Sequence, residues 1–184
     1  IPGITVISPA DCVETVKVAL AAVNHHESVY IRLTGGARNP QVYREDYSYE
    51  IGKANTLREG NDITIIAAGT MVYVSLEAAD ILLEQGISAT VVNMHTIKPI
   101  DTSMIEKACE SSKLIVTVEE HSTIGGLGSA VAEYKATLKN TPSQFFIGLP
   151  DNHGKAGEYK DLLEKHGLTA IQIAKGIVNQ YERV

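Results

Sequence analysis

Nearly continuous apolar runs alternate with amphipathic segments along most of the chain. The runs at 63–68 and 114–118 consist mainly of isoleucine, valine, leucine and alanine, as expected of parallel strands that helices cover on both faces. Between such runs, apolar residues recur with the spacing of helices. The second run belongs to a predicted strand at 113–119, and further strands are predicted at 88–93 and 144–149. Helices are predicted at 72–85, 102–111, 126–138, 158–165 and 169–181. The alternation predicts an α/β fold, doubly wound, with a mostly parallel sheet and helices on both faces.

The amino-terminal part of the chain predicts a small β-α-β unit. A strand pattern at 4–8 ends at Ser8 and Pro9, which we expect to cap and open a helix that runs to about residue 24. The pattern at 28–33 predicts a second strand, parallel to the first. This unit is too small to fold by itself.

A polar segment with several tyrosines, at 34–49, predicts an interdomain linker. We therefore expect a first unit over 1–45, linker included, and a second unit over 46–184. The second unit opens with strand patterns at 53–57 and 62–68 around a polar turn, which predicts a hairpin.

Composition narrows the choice of partners. The formal net charge is -6, and the 16 Lys and Arg residues are scattered rather than clustered, which argues against nucleic acid and anionic membranes. No apolar run approaches the ~20 residues that span a bilayer. Cys12 and Cys109 lie far apart in helix patterns and predict reduced thiols rather than a disulfide framework. We therefore expect a cytoplasmic protein.

One glycine-rich turn follows a predicted strand. Gly125-Gly126-Leu127-Gly128 could bring backbone N–H groups to a phosphate, but its spacing matches neither the dinucleotide nor the P-loop fingerprint. Close packing of a helix on the sheet is the favoured interpretation, and anion binding stays open. No Cys or His cluster has metal-ligand spacing, and no nucleophile elbow is present. The residues alone therefore indicate no catalytic constellation, no metal-binding cluster and no complete active site.

Two side chains are candidates for contact with a substrate. Arg32 lies inside an apolar predicted strand, at its carboxyl end, where a guanidinium needs an anion, either a phosphate or a carboxylate in a structural ion pair. His121 follows a strand at the edge where open α/β sheets bind ligands, although an exposed loop histidine is often only an interface group. His95 follows another strand, and we favour a structural role for it.

Several motifs, taken in order, resemble the transketolase family. They are Ser8-Pro9-Ala10-Asp11, Tyr30-Ile31-Arg32, Met94-His95-Thr96-Ile97-Lys98-Pro99, and Glu120-His121-Ser122 with the glycine turn that follows. The resemblance runs from the end of the pyrimidine-binding domain through the carboxy-terminal domain. It is greatest with the carboxy-terminal subunit of transketolases that are encoded as two short chains.

The resemblance implies an enzyme that transfers a two-carbon ketol unit between sugar phosphates in the pentose phosphate pathway. Such enzymes are homodimers that use thiamine diphosphate and Mg2+, held by residues outside this part of the chain. It also implies an amino-terminal section or subunit as partner, and a substrate-phosphate ligand at Arg32. We expect this chain alone to bind no cofactor, to serve the dimer interface and to be inactive.

Two kinds of alternative remain open. Within the same family, the chain could come from a 1-deoxyxylulose-5-phosphate synthase or from the beta subunit of a 2-oxoacid dehydrogenase. Outside enzymes, an α/β domain without a complete site could serve as a dimerisation or regulatory module.

Overall fold

The structure is a computed structural model that describes residues 1–35 and 39–184 of the 184-residue chain. Helices and strands alternate through most of the described residues. In chain order they are β1 Ile4–Ile7, α1 Cys12–Val23, β2 Ser28–Ile31, β3 Asn55–Arg58, β4 Ile63–Ala67, α2 Met71–Glu84, β5 Ala89–Asn93, β6 Thr96–Lys98, α3 Thr102–Ser111, β7 Leu114–Ser122, α4 Leu127–Lys135, β8 Ser143–Leu149, α5 Tyr159–Lys165 and α6 Ala170–Tyr181.

The larger sheet has five strands in the order β3-β5-β4-β7-β8. Strand β4 lies near its centre, where Ile65 pairs with Val91 of β5 on one side and with Val116 of β7 on the other. All neighbours are parallel except β3, which runs antiparallel to β5. The prediction of a mostly parallel α/β sheet is confirmed.

Helices cover both faces of this sheet. On one face Ile65 and Val116 belong to a buried cluster with residues of α2 and α6, and on the other Ile66 and Ile115 pack with residues of α3 and α4. Successive residues of a strand point to opposite faces, so both faces of β4 and β7 must be apolar. Burying one such isoleucine contributes about 2 kcal/mol to folding, which explains the continuous apolar runs.

The predicted hairpin is wrong. Strand β3 pairs with β5, which lies between β3 and β4. The turn between β3 and β4 is held against β5 instead: the Gly60 N–H donates to Thr90 Oγ1 at 2.9 Å, and Thr90 Oγ1 donates to Gly60 O at 2.8 Å. A Cβ at Gly60 would lie 2.3 Å from the Ala89 carbonyl carbon, so only glycine permits this close approach.

The smaller sheet has the order β2-β1-β6. Strands β1 and β2 are parallel, as the β-α-β pattern predicts, and β6 joins β1 antiparallel. Helix α1 is capped by Asp11, whose Oδ1 accepts the N–H of Glu14 at 2.8 Å, so the predicted cap at Ser8 and the predicted helix start at Pro9 are wrong. Because β6 lies between β5 and α3 in the chain, the amino-terminal unit shares its sheet with the rest of the molecule.

The segment predicted as a linker is anchored at Val42, Tyr43 and Tyr47, although many of its described residues are exposed. Its residues 36–38 lie outside the described part of the chain. Tyr43 is 7% exposed and stacks on Tyr47, with ring centroids 3.7 Å apart. The Asp11 carboxylate accepts the N–H groups of Val42 and Tyr43 at 2.7 and 2.9 Å. The boundary near residue 45 stays a prediction, but the chain around it is anchored.

The described residues contain no helix that is long and apolar enough to cross a membrane. Cys12 is exposed, Cys109 is half-buried, and both are free thiols.

Candidate functional site

A cavity of about 180 Å3 lies between the smaller sheet and one end of the larger sheet. Its lining includes Tyr30 and Arg32 from the end of β2, Glu120 and His121 from the end of β7, and Gly126 just before α4. These are the carboxyl ends of parallel strands, where open α/β sheets bind ligands. The fold therefore places both side chains that the sequence singled out, Arg32 and His121, in the lining of one cavity.

Arg32 lies one residue beyond β2 and is half-buried, not inside a strand as the sequence predicted. Its N–H donates to Ile7 O at 2.8 Å, and its Nη2 donates to the backbone carbonyl of Glu120 at 2.9 Å. Within residues 1–35 and 39–184 it forms no ion pair. A guanidinium has five N–H donors, so most of its donors remain available to an anion in the cavity.

His121 is exposed and lines the same cavity as Arg32. Its Nδ1 lies 2.9 Å from Ser122 O and 3.8 Å from Glu119 Oε2. With the Nδ1 proton donated to Ser122 O, a neutral imidazole has Nε2 as an acceptor, and an imidazolium has a second donor there. Either form can contact a polar group in the cavity.

The glycine turn before α4 is already occupied by a carboxylate of this chain. Glu119 is 5% exposed, and its two oxygens accept the N–H groups of Leu127 and Gly128 at 2.7 and 2.8 Å. A Cβ at Gly126 would lie 2.0 Å from Glu119 Oε2. Because an anion stabilises the positive end of a helix, Glu119 fills the place where a phosphate would bind. The geometry supports the packing interpretation of this turn.

Sequence reasoning missed the residues around Glu120. Its Oε2 accepts from Thr70 Oγ1 at 2.8 Å and from Tyr159 OH at 2.7 Å. Thr70 precedes α2 and Tyr159 begins α5. Thr70 follows β4 at the same edge of the sheet, so position after a strand could have marked it, whereas Tyr159 belongs to no recognisable motif.

A second polar cluster, fully enclosed, connects α1 to β5. Glu14 and Asn93 are both 0% exposed, and Asn93 Nδ2 donates to both Glu14 oxygens at 2.9 and 3.0 Å and to Tyr43 OH at 2.8 Å. Glu14 also accepts from the Ala10 N–H at 2.6 Å and from Tyr47 OH at 3.1 Å. Burial raises the pKa of Glu14. This cluster is closed to substrate and holds the two parts of the chain together.

His95 is buried in the same region, consistent with the structural role that the sequence favours. Its Nδ1 lies 2.8 Å from Thr96 Oγ1, and its ring packs against Tyr49 at a centroid distance of 4.5 Å. Burial lowers the pKa of His95 to about 4, so the ring is neutral at physiological pH.

Residues 52–173 match the family described as "Transketolase, C-terminal domain". The chain belongs to the transketolase family. It is 42% identical, over 95% of its length and 55% of the relative's, to one of the subunits of the apulose-4-phosphate transketolase of Phocaeicola vulgatus. It is 40% identical, over 100% of its length and 56% of the relative's, to a 6-deoxy-6-sulfo-D-fructose transketolase subunit of a Clostridium species.

A solved structure agrees with this transketolase assignment. A "split gene transketolase, inactive beta4 tetramer" superposes with a TM-score of 0.92 at 38% identity, covering 97% of this chain and 58% of that one.

The sequence relatives also include another enzyme of this kind. A 1-deoxy-D-xylulose-5-phosphate synthase of Chlorobium luteolum is 36% identical over 98% of this chain and 29% of its own length. The chain therefore spans little more than half of even the shorter transketolase relatives.

Enzymes of the transketolase family use thiamine diphosphate. In the part of the chain that the structure describes, no three His, Cys, Asp or Glu side chains are grouped so that they could hold a metal ion, although a bound diphosphate needs a divalent cation with oxygen ligands. The described residues do not fit the cofactor.

Proposed function

We propose that this chain is the carboxy-terminal section of a transketolase that transfers a two-carbon ketol unit between sugar phosphates. The observation that carries the proposal is Arg32. Its guanidinium lines the cavity, has one hydrogen bond to a neutral carbonyl and forms no ion pair among the described residues. A guanidinium without a carboxylate partner at the carboxyl ends of strands is suited to bind the terminal anion of a substrate.

The chemistry of the named relatives favours a ligand with an anionic end. One relative is named for a sugar 4-phosphate and another for a 6-sulfo sugar, and both groups offer oxygens that a guanidinium binds through paired hydrogen bonds. His121 lines the same cavity as Arg32. We propose His121 as a further polar contact to the substrate, or to a partner subunit that covers the cavity.

The rest of the enzyme lies outside this chain, in an amino-terminal section or subunit. Both relatives are transketolase subunits, and this chain covers only 55% and 56% of their lengths. The superposable split transketolase is described as an inactive tetramer of beta chains. We propose that this chain is inactive alone, that 1–45 completes a pyrimidine-binding domain, and that a homodimer of the complete enzyme holds thiamine diphosphate and Mg2+. The two free thiols favour the cytoplasm, where the pentose phosphate pathway operates.

The test is a transfer assay on the complete enzyme, with xylulose 5-phosphate as donor and ribose 5-phosphate as acceptor. Product establishes transketolase activity. Arg32→Ala should raise KM for phosphorylated sugars by about 10- to 100-fold, because a hydrogen bond to a charged group is worth about 1.5–3 kcal/mol. KM for an unphosphorylated ketose should change little.

Arg58→Ala is the matched control, since Arg58 is paired with Asp80 and neither residue lines the cavity. It should leave both KM values unchanged. Equal losses for phosphorylated and unphosphorylated sugars in Arg32→Ala would refute the anion assignment.

A second candidate activity is 1-deoxyxylulose-5-phosphate synthesis, favoured by the 36% identity over 98% of this chain. Turnover of pyruvate with a sugar phosphate acceptor, and no ketol transfer from xylulose 5-phosphate, would establish it. Turnover of pyruvate without any sugar acceptor would indicate a 2-oxoacid dehydrogenase. A complete enzyme with none of these activities would leave a dimerisation or regulatory role for this domain.

A further inference from the structure

The carbonyl that holds Arg32 lies in an irregular part of β7. Strand β7 pairs regularly with β8 up to Val118, opposite Ile147, and the next pair is Ser122 with Leu149. Three residues of β7, 119–121, therefore lie opposite a single residue of β8, Gly148. Residues in such a bulge lack regular ladder partners, and bulges beside functional sites redirect side chains and carbonyls. The position of the Glu120 carbonyl must be maintained by other contacts.

The side chain of Glu120 provides those contacts. Its Oε2 accepts from Thr70 Oγ1 at 2.8 Å and from Tyr159 OH at 2.7 Å, while its backbone carbonyl accepts from Arg32 Nη2 at 2.9 Å. One residue thus joins the end of β2, the turn before α2 and the start of α5. Burial raises the pKa of Tyr159 to about 12, so the phenol keeps its proton and donates at neutral pH.

These contacts also keep the Glu120 carboxylate from neutralising the Arg32 guanidinium. The Glu120 carboxylate forms hydrogen bonds with two neutral hydroxyls and no ion pair with Arg32. The guanidinium therefore keeps its charge for a ligand, while its side chain is fixed through the carbonyl of the same residue. Fixing a long side chain before binding lowers the entropy cost of binding.

We infer that Tyr159 and Thr70 are positioning residues: through Glu120 they hold the Arg32 guanidinium where it meets the anionic end of the substrate. The inference rests on the proposed function and extends it to α5, a helix that does not follow any strand of the cavity directly. It predicts that a change at Tyr159 acts only through Arg32. Neither Tyr159 nor Thr70 needs to touch the substrate.

The test uses the complete enzyme with Tyr159→Phe, which removes a single hydroxyl. KM for xylulose 5-phosphate should rise about threefold to tenfold, the effect of weakening one charge-assisted contact. The kcat and the KM for an unphosphorylated ketose should stay within about twofold of wild type. Tyr134→Phe is the control, because Tyr134 likewise donates to a glutamate, Glu106, on the α3–α4 side of the molecule, and it should change neither KM.

Variants of Glu120 separate hydrogen bonding from charge. Both donors reach the same oxygen, Oε2, and a carboxamide oxygen can also accept two hydrogen bonds. Glu120→Gln should therefore keep KM for xylulose 5-phosphate at or below the wild-type value, whereas Glu120→Ala should raise it as Tyr159→Phe does. A loss in Glu120→Gln equal to that in Glu120→Ala would overturn the inference.

A double-mutant cycle gives the decisive result. In the Arg32→Ala background, Tyr159→Phe should have no further effect on KM, because two residues that act through one contact are not additive. Additive effects, or a Tyr159→Phe that leaves KM unchanged while Arg32→Ala raises it, would overturn the positioning role and leave the proposed function intact. Thr70→Val repeats the test with the other donor if Tyr159→Phe fails to fold, since Thr70 makes no side-chain cap for α2.

Discussion

Replacing Glu14 by alanine removes the centre of the enclosed polar cluster that connects α1 to β5. In the native protein the carboxylate is 0% exposed and accepts from the Ala10 N–H at 2.6 Å, from Asn93 Nδ2 at 2.9 and 3.0 Å, and from Tyr47 OH at 3.1 Å. Alanine would leave these donors without their acceptor and would open a cavity beside them. The change therefore tests whether the cluster stabilises the folded chain.

The expected cost follows from the fate of each donor. The Ala10 N–H loses its side-chain acceptor at a site closed to water, which costs about 1–3 kcal/mol. Asn93 Nδ2 still donates to Tyr43 OH at 2.8 Å, and the half-buried Tyr47 OH can reach water. The loss of either hydrogen bond to Glu14 therefore costs less free energy than the loss at Ala10. Relief from burying a carboxylate offsets part of the loss. We expect Glu14→Ala to lower the free energy of unfolding by about 2–4 kcal/mol.

Urea unfolding followed by circular dichroism measures this loss, because the chain has no tryptophan. Glu133→Ala is the matched control: Glu133 is exposed on α4, and surface substitutions usually stay within about 0.5 kcal/mol of wild type. Because domains are stable by only about 5–15 kcal/mol, a loss of the expected size is easily resolved. A cost below about 1 kcal/mol in Glu14→Ala would refute the reasoning from unsatisfied donors.

The pH dependence has a defined sign. Burial holds the pKa of Glu14 above its usual value of 4.5, so the folded chain binds this proton more readily than the unfolded chain. The resulting stability is fully present below about pH 4.5 and is lost as pH rises through the raised pKa. Glu14→Gln removes the titrating group. The free energy of unfolding of the wild type should therefore rise relative to that of Glu14→Gln as pH falls. A gain as pH rises would contradict the assigned direction.

Two further substitutions test the packing and the electrostatics of the described residues. Gly126→Ala places a Cβ 2.0 Å from Glu119 Oε2 and should lower Tm by several degrees in calorimetry, while Gly154→Ala, with no atom within 4 Å of the added carbon, should not. His95 is buried with its pKa lowered to about 4 from 6.5, so stability should fall as pH drops from 6.5 towards 4, by roughly 3 kcal/mol at most. His95→Phe should lack that acid-side loss in urea titrations from pH 7 to 4.

Local patterns predicted the larger sheet well and its edges poorly. Strands β4 and β7 are apolar on both faces and could hardly be placed elsewhere than under two helix layers. The error at β3 has a physical cause: a short polar turn suits a hairpin, but pairing depends on which strand fits beside it, and the contact of Gly60 with Ala89 and Thr90 is non-local. Strand β6 has only three residues, too few to show a period.

The candidate site likewise has residues that the sequence could predict and residues that it could not, as Glu119 and Glu120 illustrate. Position at the carboxyl end of a strand marked His121, and a charge among apolar strand residues marked Arg32, because the fold class alone says where strand ends meet. The neighbouring glutamates look equivalent in the sequence, yet Glu119 caps α4 while Glu120 joins Thr70 to Tyr159. Strict alternation would assign them to opposite faces, but the bulge after Val118 breaks the period of two that such reasoning needs. The function of an irregular strand end depends on contacts 39 and 50 residues away in the chain, which no local pattern contains.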